Sequence, residues 1–146
     1  MINKFSIILN SNNKISGANN DATFFIDFSP YEQCEYDVTF NFSGIPTNTV
    51  ATTEPPLLHV SLGQTNIFKS SNQASILIGP LYMLWSQTKL MVTGTSTDSL
   101  QALNITLPSN NINVRLTKYD EKALWVDSNA ADIREYILIL SFQKRV

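Results

Sequence analysis

Residues 5–28 read FSIILNSNNKISGANNDATFFIDF. Phe5, Ile7 and Leu9 recur at every second position, and so do Phe24, Ile26 and Phe28. A period of two sends alternate side chains to opposite faces of an extended strand, so each run offers one apolar face to a core. Between the runs stands a polar block, Ser11–Asp21, rich in Asn, Ser and Gly. Taken alone, the stretch predicts two strands joined by a hairpin or by a β-arch.

The same period continues along the chain. Val38, Phe40 and Phe42 alternate with Thr39 and Asn41; Leu58, Val60 and Leu62 alternate with His59 and Ser61. Leu103, Ile105 and Leu107 form another such set, and Ile112, Val114 and Leu116 a further one. Ser75–Ile78 and Lys89–Thr93 are weaker strand candidates. Tyr136–Phe142, YILILSF, is apolar on both faces, which predicts a central strand covered on both sides or packed on a neighbouring subunit. The sum is about eight strands, as in a sandwich. Turn formers such as Ser16-Gly17, Pro55-Pro56, Gly79-Pro80 and Pro108 fall between the runs. The best helical candidate is one or two turns over Ser128–Arg134. Two connections are long, Gly44–Glu54 and Asp120–Glu135, and long loops in compact domains are usually functional or interface-forming. With no repeat and no linker, residues 1–146 read as a single domain.

Composition narrows the function. Hydrophobic residues make up 43% of the 146, enough for a core, while only 15% are charged. Ten basic and twelve acidic residues give a net charge of −2, which makes no footprint for direct nucleic-acid contact (Lys+Arg 10, Asp+Glu 12). No run is long enough for a transmembrane helix, so no membrane insertion is expected. The first residues lack a signal-peptide core, and Cys34 is the single cysteine, so no intrachain disulfide forms. These features predict a soluble body folded in a reducing compartment.

Reactive constellations are sparse. His59, the one histidine, alternates with apolar residues and reads as a surface or interface residue. Cys34 lies between Glu32 and Glu35, which work against a thiolate. Asp120, Glu121 and Asp127 could pair as glycosidase carboxylates, but Lys118 and Lys122 beside them favour solvated charge. Tyr82, Trp85 and Trp125 raise a sugar-binding reading; Leu81, Met83 and Leu84 around the first two favour core or interface. The sequons at Asn41 and Asn104 read as chance matches. The expectation is a protein without catalytic, cofactor or metal sites, and not an enzyme.

The quoted opening resembles that of the small single jelly-roll capsid proteins of large eukaryotic DNA viruses and virophages. There a strand ends in Leu-Asn-Ser, an Asn/Gly loop follows, and an aromatic strand comes next. The likeness continues through CEYDVTFNFSG after SPYEQ, and through PLLHVSLGQTNIFKSSN. It ends in NINVRLTKYDEKALWVDSNAADIREYILILSFQKR, with a late strand, a Tyr-Asp loop bearing a tryptophan, and the closing YILILSF. The resemblance implies an all-β fold, a single jelly roll of eight antiparallel strands in two sheets. It implies a penton at icosahedral vertices, or a minor capsid (cement) protein bridging major capsomers. A carbohydrate-binding sandwich is the further alternative. The implied partners are the chain itself, as a homopentamer, the double jelly-roll major capsid protein and other minor capsid proteins. The implied location is the virion, assembled in the host cytoplasm. Subunit contacts are expected at Gly44–Glu54, at Asp120–Glu135 and at one sheet edge. In a jelly roll the first two strands belong to opposite sheets. Ser11–Asp21 is then an arch, which accounts for about eleven residues where a hairpin uses roughly two to five. Ile7 and Phe24 should face each other across the core.

Overall fold

Alternation is converted into strands wherever it is strongest. The computed structural model describes residues 3–32, 34–46, 57–62, 76–80, 82–86, 89–95, 103–104, 111–117, 124 and 133–144. They form β1 (Lys4–Asn10), a 3-10 turn (Ser11–Asn13), β2 (Ser16–Ala18), β3 (Asp21–Phe25), β4 (Glu35–Pro46) and β5 (Leu57–Leu62). There follow β6 (Ile76–Pro80), β7 (Tyr82–Ser86), β8 (Lys89–Thr95), β9 (Leu103–Asn104), β10 (Asn111–Thr117) and β11 (Ile133–Lys144). The fold is all-β: two antiparallel sheets with the orders β1-β11-β4-β8-β7 and β2-β3-β10-β5-β6, β9 also pairing with β4. Eight strands carry the pairing frame, and β2, β7 and β9 extend it.

The frame is nested. The first strand pairs with the last, β1 with β11; inside that, β3 pairs with β10, β4 with β8 and β5 with β6. Two further ladders, β11–β4 and β10–β5, join these pairs into sheets.

One core lies between the sheets. Phe5, Ile7 and Leu9 of β1 are buried with Tyr136, Leu138, Leu140 and Phe142 of β11. Ala22 and Phe24 of β3 join Ile112, Val114 and Leu116 of β10 from the other sheet. Ile7 and Phe24 thus occupy opposite sheets and one core. The ring that Phe24 meets is that of Tyr136, edge-on at 6.3 Å. Phe5 stacks on Tyr31 at 3.8 Å and on Phe142 at 4.7 Å, closing one end of the sandwich.

The polar block is more ordered than a plain loop. It contains the 3-10 turn, capped by Asn10, whose Oδ1 accepts from Asn12 N at 3.0 Å. It also contains β2, which pairs with β3 in a two-residue hairpin at Asn19-Asn20. The arch therefore holds a tight hairpin within it, and Gly17 at φ 85° supplies a conformation that a side chain would strain.

This block satisfies backbone groups that the sheets leave open. Between Ile133 and Glu135 the β11–β4 register shifts, so Arg134 is the extra residue of a bulge. Asn19 Nδ2 donates to both carbonyls there, Ile133 at 3.0 Å and Arg134 at 2.8 Å. The buried Ser11 Oγ accepts from Tyr136 N at 2.9 Å, and Asn20 O accepts from Leu116 N at 2.9 Å. Buried peptide groups need partners. Asn and Ser supply them in both sheets, which is the physical reason for so polar a hinge.

Several expectations are corrected. Ser128–Arg134 is not helical at its end: Ile133 and Arg134 start β11, because pairing to β4 overrides local propensity. Residues 44–46 belong to β4 and 133–135 to β11, so both long connections are shorter than expected. The rest of each, apart from the lone bridge of Leu124 to Thr117, lies outside the described residues. Ile26–Phe28 follow β3 instead of extending it, although Phe28 is buried. The aromatic stretch Tyr82–Ser86 is a strand that periodicity did not single out.

Candidate interaction surface

β11 runs between β1 and β4, and its side chains alternate in burial. Tyr136, Leu138, Leu140 and Phe142 point inward. Ile137 and Ile139 point outward, and Ile137 is 43% exposed. The strand is central, but among the described residues nothing covers its outer side. Ile139 stands directly opposite Ile8 of β1, which is 65% exposed. Asn41 faces Ile139 from the other side. Ile8, Ile137 and Ile139 thus bring aliphatic side chains together on the outer face of this sheet.

A groove of about 250 Å³ opens on the same face. Ile45, Met91 and Ile137 contribute apolar surface, and Asn10, Asn12, Ser43 and Glu135 contribute polar groups. Gly44 lies beneath it. A Cβ there would come within 2.6 Å of Ile133 Cδ1 and 3.0 Å of Tyr136 Cβ, so the bulge and Gly44 require each other. The groove offers dispersion contacts ringed by neutral donors and acceptors.

The outer face of the second sheet differs. Asp21, Thr23, Asn113 and Arg115 are half-buried there, and Asn111 is exposed. Asn113 Nδ2 donates to Asp21 Oδ1 at 3.0 Å and to Ala22 O at 3.2 Å, so polar groups on this face bind each other. Phe25 interrupts the pattern at the end of β3, 59% exposed and opposite Asn111.

A third cluster closes the end of the sandwich near Phe5. Lys144 Nζ lies 2.6 Å from Glu32 Oε2, and Tyr36 Oη donates to Glu32 O at 2.8 Å. The Glu32 carboxylate raises the Lys144 pKa. Burial pushes the Tyr36 phenol up, and the neighbouring Cys34 and Glu32 add to the shift. Cys34 is half-buried and packs against the core beside Tyr36, a structural setting.

The other sequence candidates are not brought together. His59, on β5, pairs in register with Arg115 of β10 and Leu77 of β6. Tyr82 and Trp85 belong to β7, at an edge of the first sheet. Asn41 is exposed on β4 and Asn104 lies on β9. Asp120, Glu121, Trp125 and Asp127 lie outside the described residues. Among the described residues no three His, Cys, Asp or Glu side chains are grouped to hold a metal ion. None of the described helical turns is long and apolar enough to cross a membrane. Sequence reasoning missed Ile8 and Met91 as surface residues. Alternation marks Ile8 as outward, but an apolar residue on a polar face is easily read as noise. No family model matches the chain, and no curated protein matches it.

Proposed function

We propose that this chain is a structural virion protein: a single jelly roll of penton type that assembles as a homopentamer at icosahedral vertices. The observation that carries this reading is the nested pairing. A jelly roll is one long antiparallel hairpin rolled up, so its strands pair first with last and inward to the middle. Rolling then lays the last strand against the third and the seventh against the fourth. The ladders β1–β11, β3–β10, β4–β8 and β5–β6, with β11–β4 and β10–β5, fit that winding. The resemblance of the chain's motifs to single jelly-roll capsid proteins supplies the role.

A closed ring uses heterologous contacts, so two different patches of each subunit must meet. The groove around Ile45, Met91 and Ile137 is our candidate for one of them. The ring would sit among double jelly-roll capsomers and other minor capsid proteins in the virion. Native mass spectrometry of the full chain tests the assembly, with five-subunit rings expected. Ile137→Asp should abolish them with little change in melting temperature. A virion map that traces the chain beneath the facets, away from every five-fold, would replace the penton role with the bridging one. Monomers at all concentrations would sink the ring.

A further inference from the structure

We propose that β1 is a pairing edge for a second copy of this chain, joined antiparallel about a two-fold axis at Ile7. β1 ends the first sheet, and among the described residues no strand pairs with its other side. Which backbone groups face that side follows from one bond. Lys144 N donates to Asn3 O at 2.7 Å, so Asn3 and Lys144 exchange hydrogen bonds across the ladder. Hydrogen-bonded pairs alternate in an antiparallel ladder. Phe5, Ile7 and Leu9 therefore turn their N–H and C=O groups toward β11. Lys4, Ser6 and Ile8 turn theirs to the open side, and the same three side chains are exposed.

Natural proteins usually blunt such an edge with Pro, charge, a bulge or brevity. The edges of the second sheet are blunted, and β7, at the far end of the first, is only five residues long. β2 has three residues, and β6 ends in Gly79-Pro80 and meets β5 through a shifted register. β1 keeps seven residues in unbroken register and carries one charge, Lys4. The sequence is also self-complementary in one register. With the axis at Ile7, Ser6 stands opposite Ile8 of the second copy, and Lys4 stands opposite its Asn10. No like charges meet, and all three open residues find partners. The two Ile8 side chains become diagonal neighbours on one face, within reach of each other. They join the Ile139 residues of both copies into one apolar stripe.

This contact goes beyond the ring reading. An isologous two-fold cannot itself close a five-fold ring, so the two claims fail separately. Sedimentation of the full chain over a concentration series should give twofold multiples, dimers of the chain or pairs of rings. Amide exchange measured by NMR should slow at Lys4, Ser6 and Ile8 as concentration rises, and should stay unchanged at Phe5, Ile7 and Leu9. Ser6→Pro removes a donor from the open side alone and should weaken association by about tenfold or more. Should that variant fail to fold, Ile8→Lys on the exposed face carries the same expectation. Association unchanged in Ile8→Lys, or amides of Lys4, Ser6 and Ile8 insensitive to concentration, overturns the proposal. Rings with unprotected β1 amides refute the pairing and leave the ring standing. Protected dimers without rings do the reverse.

Discussion

The outward residues of β1 and β11 include Ile8, Ile137 and Ile139, whereas those of β3 and β10 include Asp21, Thr23, Asn113 and Arg115. Both sheets were built by the same alternation around the same core. The difference lies in what the outward positions do. On the second sheet, Asn113 ties Asp21 and the β3 backbone, so these polar groups are bonded within the chain. On the first, aliphatic side chains stay partly in water. Burying an isoleucine fully is worth about 1.5–3 kcal/mol, and a chain that leaves two of them exposed on one face gains that only on contact with something else. A sheet's inner face reports on folding, and its outer face on what the chain leaves in water.

The comparison breaks most easily on β11 itself. Phe142, fully buried against Phe5 and Tyr36, should cost about 3–5 kcal/mol when changed to Ala. Ile137→Asp, on the same strand but the other side, should cost less than about 1 kcal/mol. Urea denaturation of the two variants at low protein concentration measures both. Similar losses would mean that the outer face is covered within the subunit, and the contrast between the faces would fall.

A smaller effect is expected at the polar block, which serves both sheets. Ser11→Ala removes the acceptor for the buried Tyr136 N–H, and leaving such a group without a partner costs about 1–3 kcal/mol. Oligomeric state should not change, because Ser11 is buried and away from the open faces. A Ser11→Ala protein as stable as the parent would show that the bulge in β11 is held without this loop.

The smallest effects are those of pH. The Ser29 hydroxyl and N–H hold the Asp27 carboxyl below its ordinary 3.8. A carboxyl lowered by folding contributes stability above its unfolded pKa and loses it as pH falls through the folded one. Lys144, raised by Glu32, contributes below its ordinary 10.5 and loses that as pH rises through its folded value. Both groups are on the surface, so melting temperature should dip slightly at each extreme while the association state between them stays constant. Asp27→Asn should flatten the acid limb alone; an unaltered limb would assign it to other carboxylates.

Much of the strand set was legible because burial is a local pattern. Phe5, Ile7 and Leu9, or Ile112, Val114 and Leu116, declare their inward face without reference to any partner. Strand ends were less legible. Ser128–Arg134 has helical propensity, and only the ladder to β4 makes Ile133 and Arg134 extended. Tyr82–Ser86 is too evenly apolar to show a period, and pairing with β8 decides it. Of the candidate surface, Ile137 was visible in YILILSF as an excess of apolar residues. Ile45, Met91 and Asn10 come together from three strands, and no spacing along the chain could have joined them.

By itself the sequence determined which side chains leave water, since a period of two is written residue by residue. It also determined that the link between the first two strands would be polar and long. Only the tertiary structure decided what that link does. Ser11 and Asn19 meet Tyr136, Ile133 and Arg134 more than a hundred positions away (separations of 125, 114 and 115). Sheet order, the open edge of β1 and the exposed aliphatic face follow from the same cause. They depend on which distant strands find each other, and backbone hydrogen bonds between strands carry no local signature.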